Sequence, residues 1–133
     1  KQSLHESDEA ISISPNNVNF WKSRTKIYYS FSSFDPVFNK AAIESLGKAL
    51  TLSPNDPKIM YNLAILYGRG NDNTKAIDLL KNAIVAKPNY RDAYWALAIF
   101  YGEVKQPELA KTILTQYINR VDPTDKEFLE KLK

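Results

Sequence analysis

The chain has 133 residues, of which 44% are hydrophobic and 25% charged, and its formal net charge is +3. This length suits one domain, and the composition is typical of a globular protein rather than a disordered or membrane-spanning one. Cysteine is absent, which excludes disulfides and thiolate nucleophiles, and the single histidine, His5, has no partner for metal binding or nucleophilic catalysis. Basic residues are spread among acidic ones and form no Lys/Arg block, so nucleic acid is not an expected partner.

The first 17 residues predict an amphipathic helix that ends at a Pro-Asn signal. Residues 10–16 read Ala-Ile-Ser-Ile-Ser-Pro-Asn and parallel residues 49–55, which read Ala-Leu-Thr-Leu-Ser-Pro-Asn. Apolar contacts are expected from Leu4, Ile11 and Ile13. We interpret residues 1–17 as the second helix of a repeat whose first helix is missing, which implies that the chain belongs to a longer protein. A solitary capping helix is the alternative.

Residues 18–56 predict a pair of helices with an insertion between them. Apolar residues recur at helical spacing from Val18, and a second pattern runs from about Val37 to Leu52. The Pro-Asn signals on either side of this unit are 39 residues apart, five more than in the next unit. The excess falls at residues 32–37.

Residues 57–90 form the most regular unit. Its Pro-Asn signals, at Pro54 and Pro88, are 34 residues apart. Asp56 and Pro57 supply the side chains favoured at an N-cap and in a first helical turn. A fixed period of this length, with a helix-turn-helix in each unit, indicates a stacked solenoid.

Residues 91–123 predict a third pair of helices, and residues 124–133 predict a short closing helix. The closing helix begins with the run Thr-Asp-Lys-Glu, which matches a capping box with Thr124 as the N-cap. Its inward-facing residues are expected to be Phe128, Leu129 and Leu132.

The 34-residue unit resembles the tetratricopeptide repeat. Counted from Pro57, the signature places of that family hold Met60, Leu63, Ala64, Tyr67, Ala76, Leu80, Ala83 and Pro88. In the next unit the same places hold Tyr94, Leu97, Ala98, Tyr101, Ala110 and Leu114, with Tyr117 where a small residue is usual. The resemblance implies an all-α, right-handed superhelical solenoid of antiparallel helix pairs, with about seven helices in a single domain over residues 1–133. An ordinary helical bundle with a chance period is the alternative.

The pattern also predicts where helices touch. Ala76 and Ala83 stand at places that the family keeps small, so we expect both to be buried between helices. Gly47 lies inside a helical pattern, and a close approach of two helices is its simplest explanation, with a tolerated glycine as the alternative. Arg24 occupies a place that is normally Leu. We therefore expect either that its stem packs while its charged end reaches water, or that the missing N-terminal neighbour covered it.

The resemblance further implies that the first helices line a concave groove that binds a partner. Carried over position by position, the candidate groove residues are Lys22, Lys26, Tyr29, Lys58, Tyr61, Asn62, Ile65, Arg69, Trp95 and Ile99. The groove positions of the third unit also include Asp92 and Glu103. Tyr61 and Trp95 suit interface anchors, and the basic residues would favour an acidic or carboxylate-ended partner. Alternatively, the two aromatic rings only cover neighbouring helices.

One tetratricopeptide subfamily grips a C-terminal carboxylate through a clamp of Lys and Asn residues with a final Lys and Arg. Lys22 and Asn62 match this clamp. Lys26, Asp92 and Ala96 replace an Asn, the final Lys and the final Arg. Two basic contacts are therefore missing, and we expect this particular clamp to be absent.

The resemblance predicts a non-enzymatic scaffold that binds a partner protein or an extended peptide, with no cofactor or metal. A second hypothesis follows from residues 13–22 and 87–94, which look like repeats that follow the transmembrane part of bacterial O-antigen ligase or polymerase-like proteins. That likeness implies a soluble tail that assists glycan assembly without containing the active site. A third hypothesis is pure architecture, in which the repeats space or dimerise other domains.

Localisation and oligomeric state stay open at the level of the sequence. No apolar run approaches the ~18 residues needed to cross a bilayer, and the N-terminal residues lack the apolar core of a signal peptide. A cytoplasmic and an extracytoplasmic tail of a longer bacterial protein both fit.

Overall fold

The structure, a computed structural model, describes residues 2–133, and every regular element in these residues is an α-helix. The eight helices are α1 (Gln2–Ile13), α2 (Val18–Phe31), α3 (Val37–Leu52), α4 (Pro57–Arg69), α5 (Asn73–Ala86), α6 (Arg91–Glu103), α7 (Pro107–Arg120) and α8 (Lys126–Leu132). The predicted all-α solenoid is confirmed, with eight helices where about seven were expected.

Each helix packs chiefly against its neighbours in the sequence. The three main pairs are α2 with α3, α4 with α5, and α6 with α7, and successive pairs join through α3–α4 and α5–α6 contacts. α4 also touches α6, so the first helices of these two pairs lie side by side. Such nearest-neighbour contacts are the defining property of a solenoid, whose core is continuous along the stack.

Cap chemistry accounts for the start of α4 and for the turn that follows it. The Asp56 carboxylate accepts hydrogen bonds from the backbone N–H groups of Lys58 (2.9 Å) and Ile59 (3.2 Å), which confirms Asp56 as the N-cap. The turn between α4 and α5 places Asn71 at a left-handed φ of 63°. Asn tolerates this conformation better than most non-glycine residues.

The extra residues of the 18–56 unit lie between α2 and α3.

Four alanines of the second helices are fully buried between paired helices. Ala42, Ala49, Ala76 and Ala83 are fully buried, which confirms the prediction for the last two. A side chain that ends at Cβ lets two helix backbones approach closely. Leu80, also fully buried, then fills the remaining space beside Ala76 and Ala83.

The close helix approach that the sequence assigned to Gly47 occurs at Gly68 instead. A Cβ atom at Gly47 would meet nothing within 4 Å, so the close-approach prediction is wrong there. A Cβ atom at Gly68 would collide with the Phe100 ring on α6. Periodicity cannot reveal this difference, because it depends on which neighbouring side chain reaches the glycine.

α1 contributes one buried apolar residue and one ion pair to the packing on α2. Ile11 is buried and Leu4 is partly buried, but Ile13 is 80% exposed, so its predicted contact is wrong. Ile13 is the last residue of the helix and lies on its solvent side. The Arg24 guanidinium pairs with the Asp8 carboxylate. The Arg24 side chain is only 14% exposed, so the expectation that its charged end reaches water is wrong, and the residue that covers it belongs to α1 rather than to a missing neighbour.

α8 closes the stack by packing on Tyr117. Its N-cap is Asp125 and not Thr124, because the helix begins one residue later than predicted and the Asp125 carboxylate accepts from the Phe128 N–H. Phe128 is fully buried and stacks on Tyr117 with 3.9 Å between ring centroids. Leu129 is exposed, so its predicted inward contact is wrong. Tyr117 thus stands where the repeat usually has a small residue. At this position α8, rather than the helix paired with α7, covers the side chain.

Candidate functional site

A cavity of about 470 Å³ lies between α2 and α4 and contains most of the predicted groove residues. Its lining residues are Lys22, Thr25, Lys26, Tyr29, Leu46, Lys58, Ile59, Tyr61, Asn62, Ile65 and Leu66. Seven of the ten predicted groove residues are in this set; the other three are Arg69, Trp95 and Ile99. We call this space the α2–α4 cavity.

The α2–α4 cavity has an apolar floor. Leu46, Ile59 and Leu66 are buried beneath it. Thr25 is also buried, and its hydroxyl donates a hydrogen bond of 2.8 Å to the Trp21 carbonyl oxygen one turn earlier in α2. That bond satisfies the only polar group of the Thr25 side chain, so the floor presents apolar surface to whatever enters.

Three lysines surround this floor, and no carboxylate is among the lining residues. Lys22 and Lys26 are four residues apart and therefore lie on one face of α2, while Lys58 comes from the first turn of α4. Within residues 2–133 none of the three forms an ion pair with a carboxylate. Their unneutralised charges focus a positive potential on the cavity and favour anionic groups there.

Arg69 and Tyr29 extend the cationic rim at one end of the cavity. The Arg69 guanidinium carbon lies 4.6 Å from the centroid of the Tyr29 ring, which is half exposed. A cation–π contact of this kind stabilises by about 0.5–1 kcal/mol at an exposed site. Arg69 is not among the residues that line the cavity. Its contact with Tyr29, which does line the cavity, holds the Arg69 charge beside it.

Tyr61 serves both packing and the cavity wall. Its ring centroid lies 5.5 Å from that of Tyr90, the residue before α6. Burial raises the pKa of both phenols, and the nearby Asp92 carboxylate raises each further, so both hydroxyls stay protonated at neutral pH. Sequence reasoning missed Tyr90 because it is the last residue of the 57–90 unit, directly before α6, where the family pattern assigns no groove residue.

Trp95 and Ile99 lie apart from the α2–α4 cavity. The Trp95 ring meets Phe128 nearly edge-on, with 5.1 Å between centroids. Trp95 also borders a separate, open cavity of about 520 Å³, whose other lining residues are Lys126, Glu127, Glu130 and Lys131. Ile99 is exposed on α6 and lines neither cavity. The predicted groove residues therefore form a cluster on α2 and α4 and a Trp95 site beside α8, and Ile99 belongs to neither.

Residues 2–133 contain neither a helix that could span a membrane nor a metal-binding cluster. None of the eight helices combines the length and apolar character that crossing a bilayer requires. No three His, Asp or Glu side chains in the described part of the chain gather in a way that could hold a metal ion.

Comparisons with known proteins identify the fold. Residues 46–78 match the sequence model of the tetratricopeptide repeat. The structure resembles the crystal structure of MamA with a TM-score of 0.76 and 23% identity, covering 95% of this chain and 70% of that one. It also resembles TTC0263, a thermophilic TPR protein in Thermus thermophilus, with a TM-score of 0.76 and 15% identity, covering 97% and 69%. No curated protein sequence matches the chain at a significant level.

A third similar structure is the first TPR of Spaghetti (RPAP3) bound to the HSP90 peptide SRMEEVD. Its TM-score is 0.62 at 19% identity, and the match covers 82% of this chain and 89% of that one. Likeness at such identities establishes the fold. Residues 46–78 therefore match the tetratricopeptide-repeat model, and the chain has the helical solenoid fold of the tetratricopeptide-repeat structures that it resembles.

Proposed function

We propose that this chain is a non-enzymatic binding module that holds a partner protein or an extended peptide in its concave groove. The tetratricopeptide fold is consistent with a protein–protein interaction scaffold. The observation that carries the proposal is the charge of the α2–α4 cavity, which has three lysines and no carboxylate in its lining. The partner segment that fits this charge is acidic or ends in a carboxylate.

The side chains of the cavity suit two separate roles in such binding. The lysines supply long-range attraction, which speeds association and weakens as salt is added. Tyr29 and Tyr61 supply rigid amphipathic surface that loses little conformational entropy on binding. The Asn62 side chain can both donate to and accept from a peptide backbone. A cavity of about 470 Å³ is within the usual size range for a ligand site.

The structure of Spaghetti (RPAP3) supports the same class of ligand, because that protein is bound to a peptide that contains two glutamates and ends in aspartate. The two chains need not use the same contacts. Asp92 and Ala96 stand here where the carboxylate clamp has its final Lys and Arg. We therefore propose that the main contacts come from α2 and α4 rather than from α6. The hypothesis that this chain is the tail of an O-antigen ligase or polymerase-like enzyme rests on the sequence alone.

The experiment that tests the proposal is a peptide array of acidic sequences with free and amidated C-termini, followed by titration of the strongest binders. Replacing Lys26 with Ala should mainly slow association and reduce its salt dependence. The matched control is Lys81→Ala, which removes the same charge from the exposed face of α5 and should leave binding unchanged. Equal effects of the two substitutions would contradict a role for the cavity.

A second set of variants tests the aromatic contacts. Because the main contacts are proposed on α2 and α4, Tyr61→Ala should raise the dissociation rate and cost at least ~2 kcal/mol of binding free energy, whereas Trp95→Ala should change it little. Because Trp95 also packs on Phe128, each variant must first give a wild-type helical dichroism spectrum. A folded variant with Ala at both Tyr61 and Trp95 that keeps full affinity for every peptide would place binding on another surface.

A further inference from the structure

The charge of the groove changes sign along the solenoid. At the groove positions of the first two helix pairs, the charged residues are all basic: Lys22, Lys26, Lys58 and Arg69. At the groove positions of α6 they are Asp92 and Glu103, both acidic and both exposed. The groove thus has a cationic half on α2 and α4 and an anionic end on α6.

Basic residues near the start of α6 do not cancel this anionic end. Arg91 is turned to α8, where its Nε donates to Asp125 at 2.7 Å and its terminal nitrogen donates to Glu127 at 3.2 Å. Lys87 lies over the Tyr90 ring, with Nζ 5.0 Å from the centroid. Within residues 2–133, Asp92 forms no ion pair with either of them.

Asp92 acts at the border of the α2–α4 cavity. Tyr61 lines that cavity and touches Tyr90, which lies two residues before Asp92. The Asp92 carboxylate raises the pKa of both phenols, in addition to the larger effect of their burial. The negative charge of Asp92 therefore lowers the electrostatic potential at the side of the cavity that faces α6, opposite the lysines of α2.

We infer that the groove selects a bipolar segment, with acidic residues over α2 and α4 and a basic residue over Asp92. This inference rests on the proposed function. Packed helices lie about 8–10 Å apart, and an extended chain advances about 3.3 Å per residue. The basic residue should therefore follow or precede the acidic ones by about three positions. Because Asp92 lies beyond only one side of the cavity, charge sets the direction in which the segment lies.

A lysine scan of synthetic peptides tests this inference. The probes are capped eleven-residue peptides with two adjacent glutamates at the centre and glycine and serine elsewhere. Each probe carries one lysine, which is moved through the other positions from peptide to peptide. The reference peptide has no lysine. Wild-type protein should bind tightest with the lysine about three residues away on one side only, by about threefold to fivefold over the reference, as expected for an exposed ion pair. Asp92→Asn should abolish that preference, and Asp92→Lys should invert it.

The matched control for Asp92→Asn is Asp78→Asn, which makes the same change of charge on the exposed face of α5. It should keep the preference for the lysine position. A flat lysine profile, or a preference that survives Asp92→Asn, overturns the bipolar inference while leaving the proposed function intact, provided that Lys26→Ala still weakens binding. If wild-type protein and Lys26→Ala both fail to bind every peptide of the set, the proposed function is overturned as well.

Discussion

Gly68 in α4 lies directly against the ring of Phe100 in α6, and no Cβ atom fits between them. Gly47 in α3 has the opposite surroundings, because a Cβ atom there would have no neighbour within 4 Å. Neither glycine adopts a positive φ. Alanine is therefore compatible with the backbone at both positions, and only the available space distinguishes them.

This contrast predicts opposite effects of the same substitution. Gly68→Ala should lower the free energy of unfolding by about 1–3 kcal/mol, because the Phe100 ring must shift within a packed interface. Gly47→Ala should raise it by about 0.5–1 kcal/mol, because alanine loses less backbone entropy than glycine in a helix. Urea denaturation midpoints of the two variants measure both effects. Shifts of the same sign would show that the α4–α6 contact is looser than the structure has it.

Ala76 gives a second test of packing between paired helices. It is fully buried in α5, so Ala76→Leu should overpack the contact with α4 and destabilise by about 1–3 kcal/mol. Ala86→Leu is the matched control, because Ala86 is the exposed last residue of the same helix and leucine and alanine have similar helix propensities. An unchanged denaturation midpoint for Ala76→Leu would contradict the register of the α4–α5 pair.

Asp125 couples the stability of the closing helix to pH. Its carboxylate accepts from Arg91 Nε at 2.7 Å and from the Tyr117 hydroxyl at 3.2 Å. The hydrogen bond from Arg91 is the main cause that holds the pKa of Asp125 below its usual value near 3.8. A carboxylate with a lowered folded-state pKa stabilises the fold above its unfolded-state pKa, and this contribution is lost as the pH falls through the folded-state pKa.

We therefore predict that Asp125→Asn destabilises the protein at pH 7 and matters less in acid. Asp125→Asn should lower the free energy of unfolding at pH 7 by about 1–2 kcal/mol. This value is at the lower end for a charge-assisted pair, because the Arg91 side chain is 38% exposed. Denaturation at pH 7 and below pH 3 measures the difference from wild type, which should shrink at the lower pH. Glu127→Gln, which removes the exposed outer partner of Arg91, should stay within about 0.5 kcal/mol. A difference that is constant with pH would be inconsistent with the ion pair.

Removal of residues 1–14 should act locally. Arg24 would lose both the Asp8 carboxylate and the Ser7 hydroxyl, to which its Nε donates at 3.2 Å. Because a solenoid is stabilised by nearest neighbours, hydrogen exchange should quicken mainly in α2 and α3 and little in α6 and α7. Uniform quickening along the chain would indicate a single cooperative unit instead.

The cluster on α2 and α4 was predicted from the groove positions of the tetratricopeptide repeat, and helical spacing places these positions on one face. Lys22, Lys26 and Tyr29 recur at intervals of three or four residues and so share a face of α2. Trp95 occupies an equivalent position on α6, yet its ring is partly covered by Phe128. Spacing within α6 carries no information about α8, which reaches Trp95 only through tertiary packing.

The sequence by itself determined the helical content, the register of the α4–α5 pair and the burial of Ala76 and Ala83. The helical content depends on spacing that can be counted along the chain, and the register and the two buried alanines follow from the resemblance to the tetratricopeptide repeat, whose signature places are also local. Only the tertiary structure decided that Gly68 rather than Gly47 marks a close approach, that Asp8 neutralises Arg24, and that Trp95 meets the closing helix. Each of these depends on which side chain arrives from another helix, and a residue's type and position do not specify its neighbour in space.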